Sequence, residues 1–186
     1  WPDGLYSAGN PDLKPEESDY FSVNMTNNSV LGKFTVTATM KDYENLILWQ
    51  PNESLKYIPI NVSSASRTTY NINFLKEFAS SQLQISYNIY DSKDNDMDEK
   101  LLYVPDYSAN IFLSHNFNQS INVALNYKYT GKRILQYGSD WSDQTDGDAY
   151  GVLDFSVSKD FDALKTSLIV DNLLDETFES TLGYPE

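Results

Sequence analysis

Apolar and polar residues alternate with period two along most of this chain, and that alternation decides what it can fold into. In "INVALNYKYT", residues 121–130, Ile121, Val123, Leu125, Tyr127 and Tyr129 fall on one side. Asn122, Ala124, Asn126, Lys128 and Thr130 fall on the other. Successive side chains of a strand point to opposite faces, so the segment has one apolar and one mostly polar face. "LQISYNIY" sets Leu83, Ile85, Tyr87 and Ile89 against Gln84, Ser86 and Asn88. "FTVTATM" and "TYNINF" do the same, with Thr35, Thr37, Thr39, Asn71 and Asn73 on their polar faces. "FSVNM", "YSANIFLSHNF", "LDFSVS" and "LKTSLIV" complete a set of about eight strands, and no segment carries helical periodicity. The chain reads as all-β.

The connections alternate in length. "TNNSVLG", "KEFASS", "NFNQS" and "KDFDA" are short. "LWQPNESLKY", "YDSKDNDMDEKLLYVPD" and "YGSDWSDQTDGDAYG" are longer, and the last two are acidic. Short turns at one end and long polar loops at the other describe an antiparallel up-and-down meander, with the loop asymmetry of outer-membrane barrels. A soluble sheet with one buried face alternates too, so patterning alone leaves a soluble sandwich or barrel open. Two details favour a membrane wall. The polar faces are rich in Asn, Ser and Thr, which suits a wet lumen. Tyr90, Tyr127, Tyr129 and Tyr137 lie toward strand ends, with Trp49 beyond one, where an aromatic girdle would sit.

Composition narrows the classes further. A net charge of −14 excludes a general nucleic-acid binder, which needs a basic stripe to meet phosphates. With no cysteine there is neither a disulfide framework nor a thiolate metal site. Fourteen tyrosines combined with a mean hydropathy of −0.48 describe a chain that is aromatic yet polar on average, as a wall between lipid and water would be. No apolar run approaches the length of a transmembrane helix.

Chemistry-bearing residues are few. His115 is the one histidine, near a strand end, and no nucleophile is identifiable beside it, so no catalytic residue is assigned. Asp94, Asp96 and Asp98 have the one-three-five spacing of an EF-hand loop. Glu99 stands where that loop needs Gly and Pro105 where it needs the bidentate Glu, so a solvated loop without bound ion is expected there. Asp143, Asp146 and Asp148 form a second acidic knot. No metal site and no cofactor are expected. Trp49 suits the girdle; Trp141, inside an acidic loop, is the candidate for stacking on a planar ligand.

Four stretches carry a resemblance. "GNPDLKPEES" at residues 9–18 is similar to the loop-to-strand segment of TonB-dependent outer-membrane receptors. "MKDYENLI" at 40–47 resembles that family's outgoing strand after the first hairpin, and "YVPDYSANIFLSHNF" at 103–117 its Pro-containing entry into a later strand. "VDNLLDETFESTLGYPE" at 170–186 resembles the closing segment, with Leu174 where Phe is usual and Phe178 where Tyr is common. The resemblance implies that residues 1–186 are a single segment of a barrel of about 22 strands, lacking the plug domain, the earlier strands and the final strand. It further implies outer-membrane localisation and uptake of a large scarce nutrient such as a ferric siderophore, cobalamin or haem. The partners it implies are the TonB complex, acting through the absent plug region, a small-molecule metal chelate or cobalamin-like ligand, and the lipid bilayer, with no enzymatic activity. A passive porin or adhesin barrel and a soluble carbohydrate-binding β-sheet are the other classes to separate. Pro11 and Pro15 fix φ and remove donors, so residues 7–19 are expected to form a stiff extracellular loop entering a strand near Tyr20. An unclosed sheet also leaves two unpaired edges, so this segment alone is expected not to form a stable monomer.

Overall fold

A computed structural model describes residues 8–52, 54, 56–118, 120–137, 144–181 and 184–185. The strands are β1 (Glu17–Ser29), β2 (Gly32–Pro51), β3 (Tyr57–Glu77), β4 (Ser81–Asp94), β5 (Glu99–Lys100), β6 (Tyr107–Phe117), β7 (Ile121–Thr130), β8 (Arg133–Gln136), β9 (Thr145–Gly147), β10 (Tyr150–Phe161), β11 (Leu164–Val170), β12 (Glu179–Thr181) and β13 (Tyr184–Pro185). One sheet runs β1-β2-β3-β4-β6-β7-β10-β11, with β5 added to β4, and every pair is antiparallel. β8-β9 and β12-β13 are small separate hairpins. All eight strands expected from the alternation lie on that path.

The register puts like faces together across the whole sheet. Phe74 opposes Phe34 and Ile85; Ile85 opposes Ile111; Ile111 opposes Tyr127; Tyr127 opposes Leu153. A slip of one residue would flip a strand's apolar set to the other face, and no pair in this path slips. The turns at one end are tight. Val30 and Leu31 join β1 to β2, and Gly32 follows at φ 142, where a Cβ would meet the Leu75 carbonyl oxygen at 2.7 Å. Asn118, at φ 57, turns β6 into β7, its carboxamide oxygen accepting the Ser120 N–H at 3.1 Å.

At the other end β2 and β3 outrun their neighbours. They pair as far as Pro51 opposite Tyr57, whereas β1 begins opposite Glu44 and β4 ends opposite Ala65. Residues 48–51 and 57, expected as loop, are therefore strand. The projecting hairpin offers apolar surface, and the chain after β5 covers it. Tyr43, Leu46, Val62, Ala65 and Leu101 form a small core, with Leu48 and Val104 packed against it. Residues 90–106 thus depart from an extended acidic loop: their first five residues belong to β4, and Leu101 and Leu102 are buried.

The proline-rich lead-in braces the same hairpin. Ala8 N–H donates to the Tyr57 carbonyl at 3.1 Å, and the Asn10 carboxamide to that of Pro59 at 2.9 Å. Asn61 accepts the Lys14 N–H at 2.8 Å and donates back to the Lys14 carbonyl at 3.1 Å. Glu16 accepts the Ile47 N–H at 3.0 Å. Side chains supply the hydrogen bonds that proline's missing N–H denies the backbone. The chain enters β1 at Glu17, earlier than expected.

Candidate functional site

The polar face of the sheet is a hydrogen-bonded wall. Ser22 bonds Thr39 at 3.1 Å, and Asn24 donates to Thr37 at 2.8 Å. Asn71 donates to Asn88 at 2.6 Å, Asn88 to Ser108 at 3.1 Å, and Asn110 to Asn126 at 2.7 Å. Lys128 closes on Asp154 at 2.8 Å, and Asp154 also accepts the Asn172 N–H at 3.2 Å. Cross-strand amide and hydroxyl pairs satisfy one another while leaving capacity for water. This is the chemistry of a face that lines an aqueous space.

The opposite face is apolar and open. Ile111, Leu113 and Leu125 are 42, 45 and 37% exposed although they sit mid-strand in mid-sheet. Among the described residues no second sheet covers them. Such a belt needs an apolar solvent. Toward the long-loop end it closes in tyrosines: Tyr87 lies 5.9 Å from Tyr107, and Tyr107 stacks on Tyr129 at 5.8 Å. Toward the tight turns it closes in Phe34, Phe74, Phe117 and Phe161. β6, from Tyr107 to Phe117, would span about 25 Å at roughly 3.3 Å per residue and a tilt of about 40°, which matches the apolar band of an outer-membrane barrel. Tyr90 and Tyr137 do not belong to this girdle: Tyr90 bonds Ser108 on the polar face, and Tyr137 donates to the Lys100 carbonyl. Trp49 lies within β2, opposite Pro59, rather than beyond a strand end.

Above the wall the loops enclose two clefts. One, of about 620 Å³, is lined by Met97, Glu99, Lys100, Arg133, Tyr137 and Asp146. The other, of about 670 Å³, is lined by Leu135, Asp146, Tyr150, Glu176 and Phe178. Both are of small-molecule size, and Lys132 and Asp146 border both. Arg133, in the lining of the first cleft, is buried, donates to the Asp148 carbonyl at 3.3 Å and to the Glu179 carbonyl, and lies 5.1 Å from the ring of Tyr150, which lines the second. Phe178 stacks on that ring at 4.0 Å and 7°. Burial pushes the Tyr137 phenol up, with the Glu99 charge adding to it. Burial, with the Asp94 charge, likewise raises Glu99. Burial pushes the Tyr103 phenol up, and the neighbouring Tyr57 phenol adds to it.

The residues singled out from sequence are placed as follows. Trp141 and Asp143 lie outside the described residues. Asp94 is buried, not solvated; its carboxylate accepts the Asp96 N–H at 2.9 Å and the Met97 N–H at 3.1 Å. Asp98 turns away to pair with Lys93, whose hydrogen bond and charge hold that carboxyl below its usual range. The one-three-five acids therefore serve turn and surface instead of converging. Ser81, missed in the sequence because it is 34 positions away, bonds His115 Nδ1 at 2.7 Å. Among the described residues no carboxylate bonds the other ring nitrogen, and the pair sits at the phenylalanine end of the apolar face beside Phe117. The basic residues Lys41 and Arg133 were also missed. A single charged residue in an alternating strand gives no sequence signal until the register supplies its neighbours.

Comparison with known proteins agrees with this geometry. Residues 2–173 match the family described as TonB dependent receptor-like, beta-barrel. A vitamin B12 transporter BtuB of Photobacterium profundum is 30% identical over 165 residues, covering 85% of this chain and 25% of that protein. One from Vibrio cholerae is 28% identical over 186 residues, covering 96% and 29%. The siderophore receptor PirA of Acinetobacter baumannii superposes with a TM-score of 0.72 at 18% identity, covering 95% of this chain and 31% of its own. The chain thus spans about a quarter to a third of the proteins it matches.

Proposed function

The chain belongs to the TonB dependent receptor-like β-barrel family, and on that premise we propose that it forms part of the wall of an active outer-membrane importer for a large scarce nutrient. The single observation that carries the reading is the two-sided sheet, with an open apolar belt on one face and a self-satisfied amide and hydroxyl wall on the other. A soluble sheet would bury that belt. The cargo class is a cobalamin, haem or ferric siderophore. The sequence relatives named as vitamin B12 transporters make a corrinoid the first to test.

In this reading residues 1–186 are one segment of a barrel of about 22 strands, completed by further strands and a plug on which TonB pulls. The wall contributes no covalent chemistry. It excludes lipid, offers a wet polar surface to the passing cargo, and holds the loop clefts above the lumen. The test is uptake by cells whose own receptors are deleted and which carry the full-length gene. Vitamin B12 and a ferric siderophore are supplied at nanomolar concentration, with and without TonB. Accumulation of either cargo only when TonB is present is expected. Accumulation that is indifferent to TonB would favour a passive porin.

A further inference from the structure

We infer that Lys41 and Arg67 form a binding subsite for an oxyanion, a carboxylate or phosphate of the transported molecule, at the mouth of the lumen; this deepens the uptake reading and rests on it. The two residues are register partners across β2 and β3. Both belong to the polar face, since Thr39 and Asn71, at even steps along the same strands, bond within its network. They lie just toward the loop end from Tyr70, which belongs to the apolar face, so they stand where the wall leaves the membrane.

Directly opposed side chains begin about 5 Å apart, and like charges there repel. The neighbours one strand further out are Tyr20, opposite Lys41, and Ser92, opposite Arg67. Both are neutral hydroxyls. Among the described residues neither cation makes an ion pair, whereas Lys128, on the same face, is matched by Asp154. Asp42 and Asp91 alternate to the other face. Asp94 stands diagonal to Arg67, but its Oδ1 accepts the Asp96 and Met97 N–H groups, and among the described residues it makes no ion pair with Arg67. Arg67 Nε is buried with no hydrogen-bond partner. A buried donor left open is costly and calls for an acceptor. An ammonium and a guanidinium fork side by side suit a planar carboxylate or a phosphate. In a chain of net charge −14, an unmatched basic pair on the lumen wall is a local inversion of charge.

The test titrates the purified full-length receptor with citrate, and separately with pyrophosphate, by calorimetry at constant ionic strength. Saturable binding is expected for the native receptor. The Lys41→Gln, Arg67→Gln double variant is expected to weaken it by about tenfold or more, as the loss of charge-assisted bonds implies. The charge-preserving Lys41→Arg, Arg67→Lys variant is expected to keep it within about threefold. Heat-modifiable gel mobility verifies that each variant is a closed barrel. Absence of saturable binding to the native receptor overturns the inference, because a carboxylate from elsewhere in the receptor would then fill the pair. Binding that the Gln variants leave unchanged overturns it too. Vitamin B12 uptake, measured in parallel, reports on the uptake reading alone.

Discussion

Arg133 shows how one residue can organise a loop cluster. Its guanidinium joins the β8-β9 hairpin to the chain beyond β11 through two carbonyls and the Tyr150 ring. Removing it takes a donor from the Asp148 and Glu179 carbonyls. Arg133→Ala is expected to cost the loop cluster about 1–3 kcal/mol. The readout is faster limited proteolysis within residues 131–149, with unchanged gel mobility of the barrel. Asp98 gives a pH statement with a definite sign. Lys93 depresses its folded pKa, so the pair's contribution is present above the unfolded value and fades as pH falls through the folded one. A carboxyl titration by NMR in the full-length receptor is expected to place Asp98 below the ordinary carboxylate value, and Lys93→Met to return it there. An Asp98 that titrates normally in both would refute the pairing. Neither Arg133's contacts nor this ion pair is legible in the sequence, where Asp98 reads as one of three spaced acids and nothing singles out Lys93.

The strands divide into a membrane-height part and a projecting part. The first was legible: period-two alternation from Ile121 to Thr130 fixes which face each residue takes, and the register then repeats it across the path. The projecting halves of β2 and β3 were not. Pro51 and Asn52 look like loop punctuation, and it is tertiary contact, with Leu101 and Val104 and with the bracing lead-in, that holds the hairpin. Leu101→Ala, which empties a position 2% exposed, is expected to cost about 2–5 kcal/mol. It should loosen the hairpin tips without loss of the barrel, as hydrogen exchange localised to residues 43–48 and 60–65 would show. Protection unchanged there would contradict the packing. The tyrosine girdle was legible as a tendency of strand ends, but parity separates Tyr127 and Tyr129, on the lipid face, from Tyr90 on the lumen face. Trp141 shows the other limit: an aromatic in an acidic loop has no period from which to assign it a face.

At the scale of the molecule, β1 and β11 end the sheet with unpaired edges, and β1 is exposed along its length on both faces. The segment expressed alone is expected to aggregate or to require detergent, as size-exclusion chromatography would show; a soluble monomer melting cooperatively would count against a membrane wall. The most direct measurement of that wall uses the absence of cysteine from this chain. Single spin-labelled cysteines are placed in turn at positions 121–129 of the full-length receptor, cleared of any other cysteine and reconstituted in bilayers. The account predicts a strict two-residue alternation: molecular oxygen relaxes labels at Val123, Leu125 and Tyr127, and a water-soluble nickel complex relaxes those at Asn122, Ala124 and Asn126. Nickel access in phase with Leu125, or equal access at every position, would contradict it.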